Sequence, residues 1–552
     1  MKGESKKGGR EKMEKDRARA IWVYFQIGFA FFIFLSMSDG EASWAAEQPQ
    51  YGGILTFAVG NEAPTKDGHL EGTYGLIHPC SPHYSLLLKF DEDHYPKIVG
   101  DVAESWAIAK DHKTYTFKIR RGIKFHDGTL LTAKDIKATY DKIIFPPLGV
   151  ISNRKSIYSA VEKVETPDDR TVVFRLKWPA ASFLGSLAPP WNYIYKAEIL
   201  AKDHHWYEKN VMGTGPFRFV EHVPGSHWVG KRNEDYFVKG RPYLDGYRAT
   251  FIQATGARVA AFRGGRVMAE FRGFSPSHVE ELSMAMGDKV QIKESHVTSI
   301  LTINFNCQKK PFNDQRVRRA IALAVDHWEG SKILPKIANV KFVGGMLRPG
   351  SEFALTEEEL VKIPGFSRDI EASRREARRL LREARVPEGF SLQILNRPPA
   401  MPFEPLAIWL IDQWRKIGLN VTQRVQELGP YYADARAGKY DLLMISISDY
   451  MDEPDLQFSR FLSEDKTSQN YGHYIDRVLD ELYLKQSQAM DPAERRKLCK
   501  QFEVRVLDEM AYIIPTLWWH RMIPISNKVK GIKLLPSHFL NQDLSNVWLS
   551  KD

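Results

Sequence analysis

The sequence has 552 residues, of which 43% are hydrophobic and 12% aromatic, and its formal net charge is +10 at pH 7. A chain of this length exceeds what one hydrophobic core usually supports, so we expect two or three cores and no extensive disorder. The arginines are spread along predicted helices and do not cluster among stacking aromatic residues, which argues against a nucleic-acid partner.

The N-terminus combines a basic segment with an apolar run. The first twenty residues contain eight Lys or Arg, and residues 21–37 read IWVYFQIGFAFFIFLSM. Ser43 and Ala45 then supply small residues, so we predict an export signal over residues 1–45, cleaved after Ala45, and a periplasmic mature protein. The alternative is an uncleaved membrane anchor, because a helix over this run spans about 25 Å, just short of a hydrocarbon core.

The three cysteines, Cys80, Cys307 and Cys499, lie far apart and are odd in number. At most one disulfide can form, and none of them has the spacing of a metal knuckle, so we predict buried free thiols. We predict no metal and no cofactor.

Motifs for covalent chemistry are weak. The chain has no Gly-x-Ser-x-Gly and no His-Glu-x-x-His. His126 and Asp127 are adjacent in a predicted strand and point to opposite faces. The Gly-Thr-Gly-Pro of residues 213–216 lacks the third glycine of a phosphate loop, and a strand follows it instead of a helix. We therefore predict that the protein is not an enzyme.

Residues 51–59 predict the first strand, and a small α+β unit follows. Thr132 with Asp135 forms a capping box that predicts the start of a helix. Residues 161–164 and 171–176 are joined by turn-forming residues and predict a hairpin.

Residues 300–328 predict a strand, a loop and a helix. Leu301, Ile303 and Phe305 alternate with Thr302, Asn304 and Asn306, the period of a strand with one buried face and one face for polar contacts. Asn313 and Asp314 offer helix-capping oxygens, and Val317, Ile321, Val325 and Trp328 recur at helical spacing.

Residues 371–390 predict an arginine-rich helix with a solvated basic face and an inward stripe of Ala377, Leu380, Leu381 and Ala384. A predicted strand over residues 391–395 and a predicted helix over residues 407–418 continue the alternation of strands and helices that is typical of an α/β lobe.

The apolar strand of residues 442–447 leads to Asp449 and Tyr450, within the string SDYMDEPD. Ligands of α/β lobes bind beyond the carboxyl ends of strands, where Asp449 lies. A turn cap is the alternative role for this side chain. Residues 513–520 predict a strand with Trp518 and Trp519 on opposite faces, one of which can line a cleft.

Several blocks together resemble bacterial solute-binding proteins of family 5, which serve ABC importers. The blocks include N-F-N and D-x-R-V-R-x-A-I-x-x-A-x-D within residues 304–326, F-x-D-G-x-x-x-x-A-x-D at residues 125–135 and Gly-Thr-Gly-Pro at residues 213–216. The resemblance extends over about residues 51–531. It implies an α/β, two-lobed periplasmic-binding-protein fold, type II-like, in the three-domain variant with an extra small α+β domain.

The resemblance also implies a division of the chain. After the signal, residues 46–90 and 206–302 form lobe I, residues 91–205 the small domain, residues 303–519 lobe II, and residues 520–552 return to lobe I. In peptide-binding members an aspartate at the place of Asp449 holds the amino group of the ligand. We expect Tyr450, Trp519 and Asn306 to join it in a cleft.

The resemblance predicts a periplasmic, monomeric subunit that captures a peptide or peptide-like solute and delivers it to an ABC permease. Three alternatives stay open: a nickel or metal-chelate receptor, a receptor for another small solute, and a membrane-anchored envelope chaperone or scaffold. Sixteen histidines are present, but His204-His205 is the only adjacent pair.

Overall fold

The computed structural model describes residues 47–398 and 400–551, and the elements below belong to the unit that begins at Gln50. The predicted export signal, residues 1–45, lies outside the described residues. Among the helices that are described, none combines the length and the apolar character needed to cross a membrane.

The strands are, in chain order, β1 (Ile54–Val59), β2 (Leu88–Phe90), β3 (Ile98–Gly100), β4 (Ala103–Ile108), β5 (Thr114–Ile119), β6 (Val161–Asp168), β7 (Thr171–Leu176), β8 (Phe217–Val223), β9 (His227–Arg232), β10 (Gly246–Phe251), β11 (Ala269–Glu270), β12 (Val290–Phe305), β13 (Val340–Phe342), β14 (Ser391–Asn396), β15 (Asn420–Val425), β16 (Leu442–Ser448), β17 (Ile513–Ser526), β18 (Val529–Lys530) and β19 (Trp548–Leu549). The α-helices are α1 (Tyr74–Cys80), α2 (Ala133–Ile144), α3 (Phe183–Ser186), α4 (Ala197–Lys202), α5 (Thr255–Arg263), α6 (Pro276–Met286), α7 (Gln315–Leu323), α8 (His327–Ile333), α9 (Glu357–Leu360), α10 (Ile370–Glu383), α11 (Ala400–Arg415), α12 (Leu428–Arg436), α13 (Pro454–Phe458), α14 (Arg477–Gln488) and α15 (Pro492–Val504).

The main sheet has the order β15-β14-β16-β12-β17-β11-β1-β10-β9-β8, with β13 also on β17. Strands β12 and β17 are long and pair antiparallel from Val290 opposite Ser526 to Asn304 opposite Ile513. Their register is irregular between His296 and Thr302. Both strands run through the predicted boundaries near residues 302 and 519, so they connect the two lobes, while the exact division of the chain stays a prediction.

A separate antiparallel sheet of order β4-β5-β7-β6 forms with α2 the small α+β domain. The predicted capping box is confirmed, since Asp135 Oδ2 accepts from the backbone N–H of Thr132 at 2.8 Å. The predicted hairpin is confirmed as β6 and β7.

The polar residues of β12 are buried as deeply as its apolar ones. Thr302 and Asn304 are 1% and 4% exposed, because β12 lies between β16 and β17 and both faces of the sheet are covered. Asn304 Nδ2 donates to Thr302 Oγ1 at 2.9 Å. The face that was predicted to be polar is therefore buried, and its polar side chains are hydrogen-bonded inside the protein.

The helix predicted after β12 is two helices. Asp314 caps α7, with Val317 and Ile321 buried as predicted. Asp326 then caps α8 by accepting from Glu329 N at 3.0 Å, which ends the first helix before residue 328.

The basic face predicted for α10 is only partly solvated. Ala377, Leu380 and Leu381 are buried as predicted, but Arg374 is also buried and donates to Gln413 Oε1 at 2.8 Å. The prediction of a fully solvated arginine face is wrong at this position because α11 packs an amide against it.

The glycines within residues 213–216 allow two backbone segments to pack closely together. A Cβ on Gly213 would lie 2.2 Å from the His83 carbonyl oxygen, and one on Gly215 would lie 2.4 Å from the His83 carbonyl carbon. Only glycine permits this approach of two backbones. The three cysteines are free, with Cys80 and Cys499 buried and Cys307 half-buried.

Candidate ligand-binding site

The Asp449 carboxylate lies directly beyond β16, at the point where this strand leaves the sheet. The Asp449 backbone N–H donates to Thr298 O at 2.8 Å, which continues the pairing of β16 with β12. Its side chain is 4% exposed and accepts two hydrogen bonds from Arg460, Nη2 to Oδ1 at 2.7 Å and Nη1 to Oδ2 at 2.9 Å. This bidentate pair orients the carboxylate. Burial alone would lower the pKa of Arg460, but Asp449 outweighs burial and raises it.

Tyr450 points from lobe II into a core formed by the other half of the chain. Its ring centroid lies 4.6 Å from that of Trp191 in an edge-on arrangement, and the Arg154 guanidinium lies 5.0 Å from the Tyr450 ring. Burial raises the pKa of the Tyr450 hydroxyl. Asp449 and Tyr450 therefore stand where lobe II meets the small domain.

Hydrogen bonds extend this contact along the segment after β16. The Asp452 N–H donates to Tyr95 Oη at 2.8 Å, and Ser182 Oγ donates to Asp455 Oδ2 at 2.6 Å. The Ala181 N–H donates to Ser487 O at 2.9 Å. The two halves of the molecule thus touch across the acidic segment of residues 449–455.

A cavity of about 260 Å³ lies beside this contact. Its walls include Phe90, Ile98 and Leu184 from the first half of the chain, and Phe353 and Met451 from the second. This volume is just below the range of about 300–1,000 Å³ that ligand pockets usually have. Charged side chains, Asp452, Glu453 and Arg495, complete the lining.

Asn306 lies away from Asp449. Its Nδ2 donates to Gly438 O at 2.8 Å, and its Oδ1 accepts from Gln308 N at 3.1 Å. Along β12 it stands eight residues from Thr298, or roughly 26 Å at 3.3 Å per residue. A small solute cannot contact both residues, and a ligand role for Asn306 stays a prediction.

Trp518 and Trp519 lie on opposite faces of β17, as predicted. Trp518 is fully buried and donates to Gly345 O at 3.1 Å. Trp519 is half-buried against a different core cluster, and its Nε1 is buried without a partner among the described residues. A cleft role for Trp519 also stays a prediction.

The sequence reasoning missed Arg460, Arg154 and Trp191. Arg460 follows Asp449 by eleven residues, across α13 and a further helical turn. Arg154 and Trp191 lie more than 250 residues before Asp449, in the small domain. No sequence pattern signals these contacts, because they depend on how the lobes and the small domain meet.

His126 and Asp127, adjacent in the sequence, both have structural partners. His126 Nε2 lies 3.0 Å from Gly215 O, and Asp127 Oδ2 accepts from Lys196 Nζ at 2.7 Å. Burial lowers the pKa of His126 to about 4, so its ring is neutral at pH 7. Within the described residues, no group of three or more His, Cys, Asp or Glu side chains could hold a metal ion.

Two lobes joined by paired long strands, with a small third domain and a charged segment where they meet, define a two-lobed periplasmic-binding-protein fold. Residues 97–469 match the model of bacterial extracellular solute-binding proteins, family 5 middle. The chain belongs to this family.

Several relatives are similar over most of the chain. The oligopeptide-binding protein AppA of Bacillus subtilis is 26% identical over 97% of this chain and 100% of its own length. The structure of AgaA from A. tumefaciens R10, solved with agropinic acid, has a TM-score of 0.72 at 25% identity, covering 91% of this chain and 99% of AgaA. The substrate-binding protein CtaP of Listeria monocytogenes has a TM-score of 0.79 at 22% identity, covering 91% and 100%. These relatives are named as binding proteins, not as enzymes.

Proposed function

We propose that the protein is the periplasmic substrate-binding subunit of an ABC importer. It captures a peptide or peptide-like solute between its lobes and delivers it to a membrane permease, without covalent chemistry. The family supports the importer role, and AppA, whose name gives oligopeptides as its ligand, supports the peptide. Closure of the lobes is the signal that the permease recognises, because only a bound solute stabilises the closed state enough to populate it.

Asp449 is the observation that carries the peptide assignment. Its side chain is a carboxylate 4% exposed to solvent, at the boundary between lobe II and the small domain and directly beyond a strand of the main sheet. A carboxylate has about four acceptor sites, and Arg460 uses one on each oxygen. The remaining sites can accept from the ammonium group of a peptide, a charge-assisted hydrogen bond that closure shields from water.

A non-peptide solute is the second candidate. AgaA, which is 25% identical to this chain, is solved with agropinic acid. In this candidate the same cleft and closure serve another small molecule, and Asp449 stays paired with Arg460.

Native mass spectrometry of protein purified from a periplasmic extract tests the assignment. We expect co-purified masses that fragment as peptides, and we expect an equimolar mixture of di- to pentapeptides to replace them. Retention of a non-peptide compound, with no peptide from the mixture bound, would favour the second candidate.

A further inference from the structure

The small α+β domain is joined firmly to lobe I. Phe57 of β1 belongs to the same buried core as Tyr115 and Phe117 of β5. The buried ion pair between Asp67 and Lys142 adds a polar link between the segment after β1 and α2. Lobe II has hydrophobic clusters of its own. When the lobes open, the small domain should therefore stay with lobe I and separate from lobe II.

Hydrogen bonds connect the small domain to lobe II across this boundary. The bonds are Asp452 N–H to Tyr95 Oη (2.8 Å), Ser182 Oγ–H to Asp455 Oδ2 (2.6 Å) and Ala181 N–H to Ser487 O (2.9 Å). Each bond has one partner in the small domain and one in lobe II. Opening of the lobes must therefore break all of them.

Packing fixes the positions of these groups on the small-domain side. Residues 181–182 directly precede α3, where the ring centroid of Phe183 lies 4.7 Å from that of Tyr115 in the small sheet. The ring centroid of Tyr95 lies 5.1 Å from that of Phe90 in β2. The bonding groups are thus held by aromatic contacts within their own half of the molecule.

Partners within lobe II fix the positions of the groups on the other side. Arg348 Nε donates to Asp452 Oδ1 at 2.9 Å, and Gln486 Nε2 donates to Asp455 Oδ1 at 2.5 Å. Lobe II therefore orients its own acids, and the small domain contributes only hydroxyl and backbone groups to the contact. A neutral hydrogen bond shifts an equilibrium by about 2- to 10-fold, so such a contact favours one state and still breaks reversibly.

We propose that the small domain is a clasp, in which Tyr95, Ala181 and Ser182 hold lobe II in the closed state. The clasp consists of contacts within the protein, so it favours closure whatever side chains the solute carries. The solute supplies the rest of the free energy of closure, because a clasp that closed the lobes by itself would shut the solute out. The inference rests on the proposed function, since it requires that the lobes open to admit a solute.

Hydrogen exchange at two amides tests the clasp. The N–H groups of Ala181 and Asp452 both donate across the boundary, so each should exchange when the clasp opens. Tyr95→Phe removes the partner of Asp452, yet it should also speed exchange at Ala181 by about 2- to 10-fold if the clasp opens as a unit. Ser182→Ala should likewise speed exchange at Asp452. Mass spectrometry with fragmentation to single residues measures both rates.

Tyr51→Phe and Ser152→Ala are the matched controls. They also remove a tyrosine and a serine hydroxyl, but these hydroxyls donate to Gly240 O and Ile143 O, on the same side of the boundary. Both controls should leave the exchange of the two amides as it is in the wild type.

Three results would overturn the inference. The first is that neither Ala181 nor Asp452 is protected from exchange in the wild type. The second is that Tyr95→Phe leaves exchange at Ala181 unchanged. The third is that Tyr95→Phe speeds exchange equally in β14, because the residue would then support the stability of the whole protein.

The equimolar mixture of di- to pentapeptides keeps the two proposals distinguishable. A solute that closes the lobes should slow exchange at both amides. If the mixture slows neither, while Tyr95→Phe still speeds exchange at Ala181, the clasp stands and the peptide assignment fails. If native mass spectrometry shows that peptides bind and both amides still exchange as before, closure does not engage the clasp and the inference is overturned.

Discussion

The Asp449 carboxylate accepts one hydrogen bond from Arg460 on each oxygen and is almost fully buried. If it also holds a peptide ammonium, Asp449→Asn should weaken the binding of a dipeptide with a free amino group by about 1.5–3 kcal/mol. The N-acetylated dipeptide lacks the cation and should bind weakly to both proteins. Calorimetry with the two peptides measures the difference.

The matched control is Asp452→Asn, which removes another arginine-paired acid from the same segment. Both substitutions should lower the melting temperature, because each leaves a half-buried guanidinium without its partner. Only Asp449→Asn should discriminate between free and acetylated amines. The same loss in both variants would assign Asp449 a structural role.

At the scale of elements, a buried ion pair ties the segment after β1 to α2. The side chains of Asp67 and Lys142 are 3% and 2% exposed, and Tyr195 Oη donates to Asp67 Oδ1 at 3.0 Å. Burial favours the neutral acid, but His69 and Lys142 outweigh burial and hold the pKa of Asp67 below its usual value. Lys142→Met should lower the free energy of unfolding by about 3–5 kcal/mol, because it leaves the carboxylate buried and unpaired.

Urea denaturation measures this loss, and the double variant Lys142→Met with Asp67→Asn is its control. The double variant should recover much of the lost stability, since it removes the uncompensated charge. A double variant as unstable as the single one would show that packing, and not charge, dominates at this contact.

Short sequence patterns correctly predicted those structural elements that depend on residues close together in the chain. The capping box at Thr132, the β6–β7 hairpin and the end of β16 before Asp449 all follow from short-range preferences. The break between α7 and α8 is also local, since Asp326 caps α8, but the helical spacing of the apolar residues concealed it. The burial of Arg374 depends on Gln413, a neighbour distant in sequence. Propensity and periodicity carry no information about such neighbours.

At the scale of the whole molecule, the family resemblance predicted the two-lobed fold, which the structure confirms, whereas the ligand role of Asp449 stays a prediction. The resemblance did not predict Arg460, Arg154 or Trp191, because these contacts exist only when the lobes and the small domain are assembled. The candidate site therefore depends on the tertiary arrangement and cannot be recognised from a sequence motif.

Strands β12 and β17 are the elements on which lobe closure should depend, because they are shared by both halves of the main sheet. The irregular register near residues 296–302 gives these strands a place to bend. Small-angle scattering should show a smaller radius of gyration with a bound solute than without one. An unchanged radius with a ligand of proven affinity would argue against closure.

Acid should destabilise the whole molecule through buried neutral histidines, of which His83 is the clearest case. Its Nδ1 lies 2.8 Å from Phe217 O, and its Nε2 accepts from Trp228 Nε1 at 2.8 Å. The indole N–H is only a donor, so His83 must be neutral, and burial lowers its pKa to about 3. Because the folded pKa is depressed, its stabilisation is complete above the unfolded pKa near 6.5 and is lost as pH falls toward 3.

His83→Gln keeps an acceptor and a donor at this place but cannot titrate. Between about pH 4 and 5.5, the free energy of unfolding of the wild type should fall relative to that of His83→Gln by about 1.4 kcal/mol per pH unit. The two proteins are compared because Glu503 also makes stability depend on pH. Burial raises the pKa of Glu503 to about 8, so acid stabilises the folded state through this residue, and it does so in both proteins. Above pH 6.5 the difference should be constant. Urea denaturation over a pH series measures it, and parallel curves down to pH 4 would mean that His83 titrates normally in the folded protein.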